Sequence, residues 1–165
     1  MRYIISVLHF IFHEPKIPGN TGNAIRLAAC TGARLHLVEP LAFDFSDTHL
    51  KRAGLDYHDL ADVIIHPNWE ETKAYFGQDA RIFAFTSHTD NNFASMRYRD
   101  GDVLLFGSEP TGLPQSVMED PRITDLLRIP MLDGRRSLNL ANSASIAVYE
   151  AWRQLDYAGA TQTGN

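Results

Sequence analysis

The chain has a single cysteine, Cys30, so no intramolecular disulfide can form, which agrees with a reducing, cytoplasmic setting. It has no apolar run of the ~18 residues that a membrane-spanning helix needs. The stretch Tyr3–Phe12 is apolar, but His9 interrupts it and no A-x-A-like cleavage site follows, so it reads as a buried strand and not as a leader. Positive charge is not in excess. Lys and Arg number 15 against 20 Asp and Glu, a formal net charge of −5 that argues against indiscriminate nucleic-acid binding. Any RNA contact must then come from a local basic cluster.

Several chemistries are missing as well. With one cysteine there is no Cys/His set at zinc-ligand spacing, and no metal is expected. No G-x-G-x-x-G opens a helix after a strand, which removes a dinucleotide site of the usual kind. Gly107 and Gly112 are spaced as in a phosphate-binding loop, but Leu113-Pro114 stands where Lys-Ser/Thr is required. The G-x-S-x-G order of a nucleophile elbow is absent too. Repeats and low-complexity tracts are not found, and 165 residues suit one domain, expected over 1–157 with a flexible polar tail over 158–165.

What remains is an alternation. Short apolar runs lie at Ile4–Phe12, Leu35–Val38, Val63–His66, Ile82–Thr86, Val103–Phe106 and Leu126–Ile129. Helix-like stretches lie between them at Asn20–Thr31, Ser46–Ala53, Asn68–Phe76 and Leu138–Leu155. Strands alternating with helices predict an α/β fold, a largely parallel sheet flanked by helices on both faces. Gly32 stands where a C′ glycine would end the first helix. Cys30, inside that helix, is expected to be a small core residue. On the last helix, Leu140, Ala144, Ala147, Val148, Ala151, Trp152 and Leu155 share one stripe and should face the sheet. Ile146 and Tyr149 lie opposite, either as singly exposed hydrophobes or as a surface for another subunit.

Three loops follow strands and are rich in glycine, proline and small polar residues, where ligands of open α/β sheets bind. The first runs from Glu14 through Asn20-Thr21-Gly22-Asn23 into a helix carrying Arg26, with Asn20 and Thr21 as candidate caps. It suits an anion at a helix start, and equally an ordinary turn. The second, Phe106–Pro114, is a bend with backbone donors and acceptors that suits the edge of a flat heterocycle, or serves structure alone. The third, Arg128–Ser143, places Arg135 and Arg136 beside a glycine just before a helix, a candidate phosphate clamp or a solvated charge pair.

Taken in order, the three segments resemble the SPOUT superfamily of α/β-knot RNA methyltransferases. Asn20-x-Gly22-x-x-x-Arg26 resembles its motif 1, Phe106-Gly107-Ser108-Glu109-x-x-Gly112-Leu113-Pro114 its motif 2, and Ile129-Pro130-Met131 with Ser137-Leu138-Asn139-Leu140-x-Asn142 its motif 3. Arg52–His58 and Tyr149–Leu155 are similar to the small tRNA (cytidine/uridine-34) 2′-O-methyltransferase branch. The resemblance implies a C-terminal deep trefoil knot, a homodimer joined by the last helix, and S-adenosyl-L-methionine as cofactor. It implies a cofactor site at Phe85, Gly107, Glu109, Gly112, Ile129, Ser137 and Asn139. The expected substrate is the wobble nucleotide of a tRNA anticodon loop, in leucine tRNAs above all. Arg26 and Tyr149 are the catalytic candidates, Arg26 orienting the ribose or stabilising alkoxide charge because a guanidinium is too basic to act as a base. Asn20, Lys51, Arg52, Arg135, Arg136 and Arg153 are the candidates for substrate contact. The competing readings are a 2′-O-methyltransferase for another tRNA position or for rRNA, and a non-catalytic RNA- or nucleotide-binding module. Motif 1 begins near residue 15, so the added N-terminal RNA-binding region of many rRNA enzymes is not expected here.

Overall fold

A computed structural model describes residues 7–46, 48, 50 and 62–161. The expected helix over Ser46–Ala53 and the segment Arg52–His58 fall largely outside them. Six strands form one sheet, β1 (His9–His13), β2 (Arg34–Val38), β3 (Ile64–His66), β4 (Ile82–Phe85), β5 (Val103–Phe106) and β6 (Ile123–Leu127), in the order β3-β2-β1-β5-β4-β6. Every strand pair is parallel. Helices α1 (Pro18–Thr31) and α4 (Leu140–Gln154) pack together, and the described residues also form α2 (Trp69–Phe76) and the short α3 (Gln115–Met118).

Alternate side chains of the strands feed two cores, as buried parallel strands require. Phe10, Phe12, Leu35, Phe83, Leu104 and Phe106 join Ala24 and Ile25 of α1 and Ala144, Ala147, Val148 and Ala151 of α4. Ile11, Val38, Ile82, Ala84, Val103 and Leu105 join Leu113 and Val117, with Trp69 and Phe76 of α2 against them. The small residues of α4 let it approach closely, and its expected inward stripe is borne out, with Leu140, Trp152 and Leu155 half-buried at its ends. Ile146 and Tyr149 lie on the other side, 40% and 43% exposed.

Several expectations change in detail. Helix α1 begins at Pro18, a residue whose fixed φ and missing N–H suit a first turn, and Ile17 caps it without a side-chain bond. Asn20 and Thr21 therefore lie inside the helix and do not cap it. Gly32 does end it, left-handed at φ 77°, its N–H donating to the Ala28 carbonyl. Cys30 is exposed on the outer side of α1, not in the core. The last strand runs over Ile123–Leu127, earlier than the apolar run Leu126–Ile129, because an edge strand pairs on one side only and tolerates Thr124 and Asp125. Asp125 is held by its neighbours, accepting from Asn91 Nδ2 at 3.1 Å. Beyond α4, Trp152 Nε1 donates to the Ala158 carbonyl at 3.0 Å.

His9, His36 and His66 step diagonally across β1, β2 and β3, His9 Nδ1 lying 2.9 Å from His36 Nε2 and His36 Nδ1 lying 3.0 Å from His66 Nε2. The rings of His36 and His66 are stacked, Tyr75 of α2 meets both edge-on, and Phe76 lies tilted against them. Arg34 and Asp100 are the charged groups acting on the outer end, at His9. Burial, then the neighbouring imidazoles His9 and His66, pushes His36 down to about 3, and burial lowers His9 and His66 too. A histidine whose folded pKa lies below its ordinary 6.5 binds fewer protons folded than unfolded. Its contribution is complete above that value and is lost as pH falls through it toward the folded pKa. Between pH 7.5 and 5, His36 alone should cost about 2 kcal/mol of stability. Urea unfolding of wild type and His36→Phe at both pH values checks this; the variant should lose less than wild type, and equal losses would show that the ladder does not titrate.

Candidate functional site

The carboxyl ends of β4, β5 and β6 open into a cavity of about 670 Å³, within the usual range for a small-molecule site. Phe85 and Phe106 stack at its base, centroids 4.7 Å apart and planes 22° from parallel. Ile129, Met131, Leu138 and Leu140 add apolar wall, while Ser87, His88, Arg128, Arg136 and Ser137 supply polar groups. The site thus draws on all three loops picked out by sequence.

The loop after β5 is shaped by backbone crowding. Ser108 accepts from the Gly112 N–H at 2.7 Å and its hydroxyl meets that of Thr111 at 3.2 Å, closing a small ring. A Cβ on Gly107 would fall inside contact distance of the Gly112 carbonyl carbon and the Leu113 nitrogen. Gly107 is required because the chain crosses itself there, before any ligand is considered. Gly112 has open space around it but a left-handed φ of 72°. The two glycines serve the site for different reasons.

A polar relay then joins the three loops. Glu109 accepts from the Lys16 backbone N–H at 2.9 Å and from Asn20 Nδ2 at 3.0 Å. Asn20 Oδ1 accepts from Asn139 Nδ2 at 2.9 Å. Asn139 Oδ1 caps α4, accepting from the N–H groups of Ala141 and Asn142. Asn20 is 5% exposed, and both ends of its amide are already engaged. Its place in the site is that of a tie between loops. Glu109 and Asn139, expected at the cofactor, line the cavity while holding Asn20.

The other expected residues divide. Phe85, Gly107, Gly112, Ile129 and Ser137 all line the cavity. Of the paired arginines Arg136 lines it and Arg135 does not, both being exposed. Arg26 is exposed on α1 and lies outside the lining. Six residues place it about 9 Å along the helix from Asn20 and on a different face. Tyr149 is exposed on α4, its ring against Trp152 at 5.6 Å, and Arg153 pairs with Glu150 at 2.9 Å. Lys51 and Arg52 lie outside the described residues. Ile17, His88, Arg128 and Met131 also line the cavity without being among the expected site residues, although Arg128 and Met131 lie in the third loop and each of the four follows a strand end or precedes a helix. Among the described residues no group of His, Cys, Asp or Glu is placed to hold a metal ion. No helix there is long and apolar enough to cross a membrane.

A family model described as the SpoU rRNA Methylase family matches residues 7–149. The chain is 47% identical over 150 residues to a tRNA (cytidine(34)-2'-O)-methyltransferase of Methylovorus glucosotrophus, covering 91% of this chain and 97% of the relative. It is 45% identical over 156 residues to the protein of that name from Escherichia coli, covering 93% and 98%. A solved structure concerned with the 2-OH methylation of C/U34 on tRNA superposes with a TM-score of 0.84 at 43% identity, covering 92% of this chain and 97% of that one. The methyltransferase AviRb from Streptomyces viridochromogenes in complex with AdoMet superposes with a TM-score of 0.76 at 27% identity, over 92% of this chain and 59% of AviRb. The parallel sheet flanked by helices is the α/β-knot fold of these structures, as expected.

The relay and the crossing give graded expectations. Asn20→Ala strips Glu109 and Asn139 of a buried partner and should cost about 1–3 kcal/mol. Gly107→Ala should cost more than Gly112→Ala, since the first meets backbone and the second only φ strain of about 1–2 kcal/mol. Thermal melts of the three variants test the order; a Gly107→Ala protein as stable as wild type would remove the crossing from the account.

Proposed function

The chain belongs to the SpoU rRNA methylase family, and from that premise we propose that it methylates the ribose 2′-hydroxyl of tRNA nucleotide 34, using S-adenosyl-L-methionine. The observation that carries this reading is the cavity behind the Gly107 crossing, built from three tied loops in a chain similar to the wobble-nucleotide enzymes over nine-tenths of its length. The residues present fit the cofactor. Aromatic and aliphatic walls suit an adenine, exposed strand-end backbone suits its polar edge, and Arg128 and Arg136 suit the carboxylate of the methionine part. The bound cofactor supplies a methyl group already activated on a cationic sulfur.

The protein's task is to hold the acceptor. The 2′-oxygen gains the methyl and must shed its proton, so a cation beside it favours the developing negative charge. Arg26 fills that role, orienting the ribose or its phosphate with a group that stays charged. Its position outside the cavity of its own protomer fits a site completed by a second copy. Ile17 and Leu138 at the cavity and Ile146 and Tyr149 along α4 are exposed hydrophobes that a homodimer would cover. Tyr149 then stands near the shared site. Arg135, Arg136 and Arg153 are the exposed cations offered to a single-stranded anticodon loop, whose bases are open to reading, and Lys51 and Arg52 are further candidates from the sequence alone. Arg153 keeps Glu150 as a competing partner. The place of action is the cytoplasm, and leucine tRNAs are the first substrates to try.

Mass spectrometry of tRNA from cells with and without the protein tests the assignment; the 2′-O-methyl mark at nucleotide 34 should vanish. A mark lost elsewhere would move the target to another RNA position. In vitro, Arg26→Ala should lower kcat about 100-fold or more with cofactor affinity within about twofold. Tyr149→Asp should leave a folded monomer by light scattering, with RNA methylation falling at least about tenfold. An active monomer would remove the shared site. Activity should also fall steeply with added salt.

A further inference from the structure

The strand order sends the chain from β1 and from β5 in opposite directions, β1 continuing to β2 on one side and β5 leading to β6 on the other. In open parallel sheets, ligands sit in the crevice outside the carboxyl ends of two such strands. The loop over 106–113 divides that crevice. Its larger part is the cavity assigned above to the cofactor. A smaller cleft of about 350 Å³ lies at the ends of β1 and β2, and shares Ser108, Thr111 and Gly112 with the larger one. Nothing in the reaction described so far uses it.

The cleft has a built polar edge. His13 is 6% exposed, and burial keeps its imidazole below its ordinary pKa, hence neutral at pH 7. Glu14 lies beside it, Oε2 3.4 Å from His13 Nδ1. Glu14 has a left-handed φ of 52°, which a residue with a side chain adopts only at a cost, and its N–H is anchored on the Val38 carbonyl at 2.9 Å. Strain of this kind collects at ligand sites, where the surroundings over-determine it. Pro40, Leu41 and Pro114 supply flat apolar wall, and Lys16 stands exposed at the rim.

We propose that this cleft receives a nucleobase bearing an exocyclic amino group, cytosine or adenine, from the RNA strand whose ribose is methylated, with Glu14 accepting from the amino group. The inference rests on the methyltransferase reading. A carboxylate only accepts hydrogen bonds, so it matches the cytosine N4 or adenine N6 amino group and repels the carbonyl oxygen that uracil or guanine presents there. Lys16, exposed at the rim, suits a phosphate. Because the two cavities share a wall, a base held here lies next to the methyl donor's site. The base is that of a neighbour of the target in the loop, since the related structure concerns methylation of either C or U at nucleotide 34.

The test uses the full-length protein and a hairpin RNA carrying the target in its loop. Each loop cytidine other than the target is exchanged for uridine, and each loop adenosine in turn for purine riboside, which lacks the amino group. Hairpin affinity is measured with S-adenosylhomocysteine present, and methyl transfer is measured alongside. In wild type, loss of the amino group at one position should cost about tenfold in affinity, and that position names the source. In Glu14→Ala the same exchange should cost less than about twofold. Glu14→Gln, which can accept from an amino group and donate to a carbonyl, should likewise relax the discrimination while melting as wild type does. Equal sensitivity in wild type and both variants, or none at any position in wild type, overturns the proposal. The methyltransferase reading fails separately, if wild type moves no methyl to any RNA ribose.

Discussion

Asn20 is the residue on which the site's geometry depends. Its amide donates to Glu109 and accepts from Asn139, so one buried side chain holds together segments from the beginning, middle and end of the chain. A buried amide that lost either partner would bear the full cost of an unmatched polar group. That penalty makes the arrangement close to all-or-none. The cap on α4 is part of the same arrangement, since the Asn139 oxygen that starts the helix belongs to the side chain whose nitrogen reaches Asn20. The position of the long C-terminal helix, and of the loop before it, is thereby referred to the first helix.

Around this tie the protein separates two kinds of surface. Inside, the cavity is a mixture of stacked aromatic rings, aliphatic walls and strand-end backbone, which suits a ligand of modest charge. Outside, an acidic chain exposes Arg26, Arg135, Arg136 and Arg153. Coulomb attraction to a polyanion falls off over roughly 10 Å in physiological salt, so a local group of cations can act although the whole chain is negative. The charge of −5 and a taste for RNA are therefore compatible.

Much of this was legible in the sequence, for identifiable reasons. Strands such as Val103–Phe106 are buried on both faces and read as unbroken apolar runs, and α4 wears its amphipathic stripe openly. The three loops announced themselves by glycine, proline and small polar residues at strand ends. What stayed hidden was pairing at long range. Nothing local to Asn20 says that it bonds residues 89 and 119 positions away. The start of α1 was misplaced because Asn20 and Thr21 have the chemistry of caps, and the true start rests on the stiffness of Pro18. Cys30 read as core because its neighbours are apolar, although it lies on the outer side of the helix. The histidine ladder was invisible for another reason. His9, His36 and His66 lie in separate strands, and only the register of the sheet lines them up.

The distance in sequence between Asn20 and Asn139 also bears on the protein's synthesis. A ribosome delivers residues one at a time, at roughly 5–20 per second. The pocket needs residues from Ile17 to Ser143, so no part-made chain shorter than that can carry it. For several seconds Asn20 has been made while its partner Asn139 has not. Cofactor binding thus arrives late and nearly at once, as a property of the finished chain.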